Sequence, residues 1–293
     1  RFFKEQGGLL TLKDFAAYEP RWTEPLHTVY REHDVFSNPA TSRGGLEVLM
    51  QANLVKGVDL KAAGPGSPDA LHAIIESIKI AKADVYRYVG DPKFTSIPTD
   101  VLLSKGYAQQ RRALMDPAKA IAYPEAGVIE PAATPDPVQR EAPSFAETYD
   151  REQHTTSFSI VDQWGNAVGC TPTLGGLFGS NVVAGSTGLL LNNGMRLGST
   201  SPYRESVNYV GAGKVPVLNN SPVVVLKDGR LAFVFGSPGG ETIGQTEFQV
   251  LVNLIDFEMP VQQAIEAPRL ALEATPNFYK PGASITVNIE GRV

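Results

Sequence analysis

After Ser67-Pro68-Asp69, apolar residues recur at helical spacing: Leu71, Ile74, Ile75, Ile78, Ala81 and Val85 fall on one face. Ser67 and Pro68 supply an N-cap and a first-turn proline, so a helix is predicted to open there. Two helices are expected before it. One is capped by Thr11 with Asp14 three residues on, and one is opened by Arg43-Gly44-Gly45 and runs through Val48, Leu49 and Leu54. Residues 33–37 read as a strand. Past residue 155 the pattern changes to strands. Residues 155–162, a turn over Asp162-Gln163-Trp164-Gly165-Asn166 and a return over 167–173 predict a hairpin that brings Thr173 back beside Thr155. Residues 223–226 and 231–235 flank Lys227-Asp228-Gly229-Arg230 as a second hairpin. It leads through Gly236-Ser237-Pro238-Gly239-Gly240 into a helical run over 241–257, with Ile243, Val250, Leu251, Leu254 and Ile255 on its apolar face, and another helix starts from Pro260. The pass along the chain is an alternation of helices and strands, and the expected class is α+β.

The stretch joining the two halves fits neither pattern. From Tyr123-Pro124-Glu125 through Pro131, Pro135, Pro137 and Pro143 to Asp150-Arg151-Glu152 it is rich in Pro, Glu and Asp, and is expected to be exposed rather than part of a core. A flexible segment abutting a strand is a place where a chain can be cut. A cut before Thr155 would leave one residue carrying both a hydroxyl nucleophile and a free α-amine, whose reference pKa of about 7.7–8.0 lets it serve as base for its own side chain. The plain alternative is that Thr155 and Thr156 are β-formers on a half-buried face. Thr173 would add a second hydroxyl that orients the first. Gly239 and Gly240, at a strand-to-helix junction, would present backbone N–H donors suited to an oxyanion; the alternative there is an ordinary glycine turn.

Composition narrows the partners. The chain has 293 residues, 42% of them apolar, and a net charge of −5 without a basic cluster, which argues against nucleic acid and anionic membrane. That length allows one large domain or two small ones. The single cysteine, Cys170, rules out an internal disulfide, reads as strand packing and leaves the compartment open. His27, His33, His72 and His154 are scattered and read as surface or packing residues, with no metal-ligand cluster and no cofactor motif. There is no Gly-x-Ser-x-Gly around Ser237 and no phosphate-loop pattern, and no signal or membrane-spanning stretch is visible. The chain opens on Arg1 and stops on Gly291-Arg292-Val293 in a strand-like pattern, and so reads as a fragment of a longer precursor.

Together these pieces resemble the γ-glutamyltranspeptidase family of N-terminal-nucleophile hydrolases. The resemblance is carried by Thr155-Thr156, Ser159, Asp162, Gly165-Asn166-Ala167-Val168, Thr171-Pro172-Thr173-Leu174, Phe178-Gly179, Val183-Ala184-Gly185, residues 188–193, Ser221-Pro222, the loop at 236–240 and Ala267-Pro268-Arg269. The first half adds Gly7-Gly8-Leu9-Leu10-Thr11, Tyr18-Glu19, Ser42-Arg43-Gly44-Gly45 and residues 88–92. The resemblance implies a four-layer αββα sandwich, truncated at both ends and forming one structural domain. Residues 1–154 would be the end of a large subunit, with a linker over about 123–154, and 155–293 the start of a small catalytic subunit cut from the same precursor. It implies Thr155 as nucleophile, Thr173 as its supporting hydroxyl and Gly239 and Gly240 as the oxyanion pair. The reaction would be acyl transfer from a small amide or peptide to water or an amine acceptor.

The family's substrate-reading pattern is largely missing. Where it holds a glutamyl amino group with an acid, a Gln and an Asn, this chain has Leu197, Gly194 and Gly175, and where it has a serine pair for the carboxylate, this chain has Leu218 and Asn219. The arginine that partners that carboxylate would lie ahead of Arg1. Ser157 replaces a histidine that usually follows the two threonines. Leucine cannot pair with an ammonium. Arg196, one residue before the missing acid, either points to solvent or inverts the local charge, so that Arg196, Asn219 and Gly194 line a pocket for a carboxylate or carbonyl. Three readings compete: a γ-glutamyl hydrolase or transferase for glutathione-like substrates, a relative cleaving another small amide of oxamate or acylase type, and an uncleaved, catalytically silent binding protein. Retention of Thr155, Thr173, Gly239 and Gly240 disfavours the last.

Overall fold

The computed structural model describes residues 1–130, 154–196 and 199–291. In chain order the described elements are α1 (Phe2–Glu5), α2 (Leu12–Ala16), β1 (Leu26–Tyr30), β2 (His33–Ser37), α3 (Gly44–Val55), α4 (Leu60–Ala63), α5 (Pro68–Tyr88), α6 (Thr99–Leu102) and α7 (Lys105–Arg112). After the linker come β3 (Phe158–Val161), β4 (Ala167–Cys170), β5 (Val223–Lys227), β6 (Arg230–Phe235), α8 (Ile243–Ile255), α9 (Val261–Glu266), β7 (Leu270–Thr275) and β8 (Ser284–Ile289).

The main sheet runs β1-β2-β5-β6, antiparallel throughout, so strands from both halves of the chain interleave: Val35 of β2 pairs with Val225 of β5. The β5–β6 turn follows from Asp228-Gly229, which take φ 52 and 71, the positive values a tight primed hairpin needs. The β1–β2 turn puts Arg31 and Glu32 at φ 46 and 66 with no Gly or Asn to signal it. Arg31 holds it in place by donating to the carbonyls of Lys56 and Val58 at 3.1 and 2.6 Å and to Asp256 at 3.0 Å.

Helices α3 and α8 cover one face of this sheet, and α5 packs against α3. Gly44 and Gly45 let α3 start against the strand ends, since a Cβ on either would lie 2.1 or 2.2 Å from the carbonyl oxygens of Asn219 and Asn38. Helix α5 opens where predicted, with Ser67 Oγ accepting from Ala70 N at 3.1 Å. Ile78, Ala81 and Val85 are fully buried, and burial of the Ile78 and Val85 side chains is worth up to about 1.5–3 kcal/mol each. Its polar side is buried too, which a one-faced amphipathic reading does not anticipate. The charges survive there because they are paired: Lys79 with Glu76 at 2.8 Å, Lys82 with Glu47 at 3.2 Å and Asp84 with Arg111 at 3.0 Å. Hairpin β7–β8 docks on α8 through two glutamines one turn apart. Gln245 and Gln249 each exchange a donor and an acceptor with the backbone of Leu272 and Leu270, acting as a substitute strand for the β7 edge.

On the opposite face of the main sheet lies hairpin β3–β4. Gly169 of β4 allows close stacking, because an added Cβ would come within 3.0 Å of Pro222 and 3.3 Å of Val234. The result is a mixed α+β stack of helices, sheet and second sheet. The outer side of β3–β4 stays open among the described residues, with Phe158, Ile160 and Val168 each about half exposed. Residues 123–130, expected at the start of an exposed linker, are anchored instead. Tyr123 is buried and donates to Phe278 O at 2.8 Å, and Gly127 N donates to Asp84 at 2.8 Å. The rest of that stretch, residues 131–153, and Leu197 lie outside the described residues.

Candidate active site

The β3–β4 hairpin brings the two predicted threonines together. Its pairing begins before β3, with His154 N donating to Gly175 O at 3.0 Å and Thr156 N to Pro172 O at 3.3 Å. Thr155 Oγ1 then donates to Thr173 Oγ1 at 3.0 Å, and Thr173 Oγ1 donates to His154 O at 2.9 Å while also accepting from Gly175 N at 2.9 Å. One hydroxyl thus uses its proton on the carbonyl of the His154–Thr155 peptide and both lone pairs on donors, one of them Thr155. The 162–166 turn closes as expected, with Asp162 N donating to Asn166 O at 3.0 Å and Gly165 at φ 86.

The glycine loop enters from β6. Gly239 and Gly240 take φ 131 and 56, and Gly240 starts the 3₁₀ turn Gly240–Thr242 that runs into α8. At the loop's first residue, a Cβ on Gly236 would sit 2.3 Å from Ser157 Oγ and 2.9 Å from Thr171 Oγ1. The segment carrying Thr155 therefore touches the loop carrying Gly239, and a small Ser157 is what fits there. The loop is pinned from below by Glu247 of α8, whose carboxyl accepts from Ser237 N at 3.0 Å and hydrogen bonds Ser221 Oγ. Burial pushes this carboxyl well above its ordinary value, and Glu47 nearby adds to the shift. A protonated Glu247 also fits the donor arithmetic, since Ser221 can spend its one proton on Asn219 O at 3.0 Å and accept from the acid.

Of the positions expected to read a substrate, Gly175 and Arg196 come together next to the Thr173 segment. Gly175 takes φ 93, and a Cβ there would meet Asn193 Oδ1 at 2.0 Å and Arg196 Nε at 3.6 Å. Asn193 is fixed in that spot by Gly176 N at 2.8 Å. Its side chain thus fills the place where a residue-175 side chain would begin. Arg196 is half-buried with its Nε over Gly175 rather than turned fully to solvent. Gly194 has its N–H taken by Asn192 Oδ1 at 2.8 Å. Leu218 is held through its backbone, its N–H donating to Thr41 O at 3.1 Å and its carbonyl accepting from Arg43 N at 2.9 Å. Asn219 Oδ1 accepts from Arg43 Nε at 2.7 Å, and the neighbouring Asn220 Nδ2 donates to Thr171 O.

Sequence reasoning missed Arg43, Tyr86, Asn193, Glu241, Glu247 and Tyr279. One signal was available: an arginine at the start of a buried helix opposes the helix dipole, so it needs partners from elsewhere. No three His, Cys, Asp or Glu come together as a metal site among the described residues.

Two antiparallel sheets stacked beneath helices, with a threonine at the head of a hairpin of the second sheet, are the build of the N-terminal-nucleophile hydrolases. The γ-glutamyltranspeptidase family model matches residues 1–290, and the chain belongs to that family. It is 37% identical over 274 residues to the glutathione hydrolase proenzyme of Escherichia coli K12, covering 91% of this chain and 44% of that protein. It is 34% identical over 272 residues to the acylase ACY 1 proenzyme of Pseudomonas sp. strain SE83, covering 93% of this chain and 45% of that one. The solved cephalosporin acylase of Bacillus halodurans superposes with a TM-score of 0.76 at 30% identity, covering 92% of this chain and 44% of that structure. The chain therefore spans less than half the length of the relatives it matches.

Proposed function

We propose that the chain carries the nucleophile of an amide hydrolase or acyltransferase that matures by cutting its own His154–Thr155 bond. The observation that carries this reading is the hydrogen-bond relay from Thr155 through Thr173 to the His154 carbonyl. In the maturation step Thr155 Oγ adds to the His154 carbonyl carbon as the C–N bond breaks. The acyl group moves from nitrogen to oxygen, and water then hydrolyses the ester. Residues 1–154 and 155–293 become parts of a large and a small subunit. Loss of the His154 carbonyl frees the Thr173 proton to support Thr155, and the new α-amine takes the Thr155 proton. Thr155 then attacks the substrate amide, and Gly239 and Gly240 donate to the oxyanion, one such donor being worth about 2.7–4 kcal/mol. The leaving amine takes a proton, and water or an acceptor amine releases the acyl group.

The acyl group has a carboxylate or carbonyl at its far end and no free ammonium. Arg196 over Gly175, and Asn219 next in the chain to Asn220, which bonds Thr171 O, support this, because guanidinium and amide N–H groups suit an anion and the glycines at 175 and 194 offer no side chain to pair with a cation. The relative named an acylase fits that substrate class. A second reading, γ-glutamyl transfer, is favoured by the somewhat higher identity to the relative named a glutathione hydrolase. Matched anilides decide between them: glutaryl p-nitroanilide, with a carboxylate and no amine, against γ-glutamyl p-nitroanilide, which has both. The proposal expects the glutaryl compound to be preferred and both activities to vanish in Thr155→Ala. A tenfold preference for the free amine restores γ-glutamyl chemistry, and turnover surviving in Thr155→Ala removes the nucleophile assignment.

A further inference from the structure

Arg43 is the largest fully buried side chain of the described residues. Its guanidinium lies 3.6 Å from the Tyr86 ring centre, donates to Tyr279 Oη at 2.9 Å and sits 3.7 Å from the Glu241 carboxylate. The walls of this cage are themselves held: Tyr86 Oη donates to Glu241 Oε1 and Asn208 Nδ2 donates to Tyr279 Oη, each at 2.6 Å. Burial alone would lower the guanidinium's pKa, but Tyr279, Tyr86 and Glu241 push it up, so it remains a fixed cation. Its Nε reaches Asn219 Oδ1 at 2.7 Å.

A guanidinium has donors and no acceptor. The end of the Asn219 amide that faces Arg43 is therefore the carbonyl, and the NH₂ end faces away. We infer that Arg43 is a positioning residue that locks Asn219 with its N–H groups toward the acyl pocket, so that this position accepts a carboxylate or carbonyl oxygen and repels an ammonium. The inference deepens the proposed function and rests on its reading that Asn219 faces the acyl group. It also gives the departure from a serine pair a physical meaning. A serine hydroxyl rotates and can donate or accept, whereas an asparagine clamped on its oxygen can only donate. Lysine could not substitute, because its compact ammonium cannot stack on Tyr86 and span Asn219, Tyr279 and Glu241 together.

The test uses p-nitroanilides of three acyl groups: glutaryl, valeryl with neither charge, and γ-glutamyl. Variants are Arg43→Met, Arg43→Lys, Asn219→Ala and the double Arg43→Met/Asn219→Ala. Arg43→Met should raise KM for the glutaryl compound about 10- to 150-fold, the scale of one hydrogen bond to a charged group. KM for the valeryl compound should stay within about twofold, and kcat should hardly move. Because Arg43 acts through Asn219, the double variant should match Asn219→Ala alone. Equal losses on all three compounds, or additive losses in the double variant, would show a purely structural arginine and overturn the inference. If Arg43→Met does not fold, Arg43→Lys carries the same comparison. Calorimetric titration with glutarate reads the clamp without turnover. Arg43-dependent, non-additive glutarate binding without anilide turnover would sink the proposed function and keep the clamp. Turnover with additive effects would sink the clamp alone, and neither binding nor turnover would sink both.

Discussion

The proposed catalytic corner and the proposed acyl-reading corner are built by different means. Thr155, Thr173 and Gly175 are set by the backbone pairing of one hairpin, closed by a turn at residues 162–166. Few side-chain identities are needed to keep that geometry, and they are the ones present. The reading corner is assembled from far apart: Asn193 over Gly175, Arg196 from the same loop, and Asn219 oriented by Arg43 from 176 residues away. Changing what such a corner recognises requires only side-chain exchanges, while the nucleophile's frame stays put. This is how one catalytic frame can accompany an unusual recognition set.

The largest effect is expected at Thr173. Thr173→Val keeps β-branching but removes the hydroxyl that serves Thr155 and His154 O. Both chain cleavage and anilide turnover should slow about 10- to 1000-fold with little change in thermal unfolding. Unaltered kinetics would reduce Thr173 to a strand residue. Next in size is Gly175→Asn, which restores the family's residue. Its Cβ would strike Asn193 at a φ of 93, so stability should drop by about 1–3 kcal/mol by denaturant unfolding. Adding Asn193→Ala should recover part of it, and a harmless Gly175→Asn would mean that Asn193 does not fill the space. A smaller effect is expected at Arg196. Arg196→Ala should raise KM for the glutaryl anilide several-fold without changing kcat, as one exposed-side ionic hydrogen bond would, and no change would return Arg196 to solvent.

How much of this was legible follows the same division. Ser67-Pro68 placed the start of α5, Asp228-Gly229 the β5–β6 turn, and Thr11 with Asp14 the cap of α2, because each signal is local chemistry. The threonine pair was legible too, through the 162–166 turn. Strand β1 was not, since its turn uses Arg31 and Glu32 at positive φ, held by carbonyls and Asp256 from other elements. Strand β7 depends on Gln245 and Gln249 of a helix, and the charged side of α5 depends on ion pairs across the core. The Arg43 cage is of that kind: its side chain meets residues 86, 219, 241 and 279, and no window of sequence contains them together.

The smallest expected effect concerns Glu247 and appears as pH dependence. Its folded pKa is raised by burial, so between its ordinary value near 4.5 and the raised one the folded chain holds a proton that the unfolded chain has released. Stability contributed at this site is then greatest below the ordinary value and falls as pH rises. Glu247→Gln should be nearly neutral at mildly acid pH and increasingly stabilising relative to the native residue toward alkaline pH, read by thermal unfolding across that range. A pH-independent difference would mean that Glu247 is ionised in the fold.

In the proposed function Thr155 cuts the bond before it and becomes the nucleophile. Intact mass spectrometry with N-terminal sequencing, on the native protein and on Thr155→Ala side by side, reads that step. The native protein should separate into two pieces, one beginning with Thr155, and Thr155→Ala should stay whole and inactive. A native chain that is active while uncut, or a Thr155→Ala variant that is cut as efficiently as the native one, would contradict it.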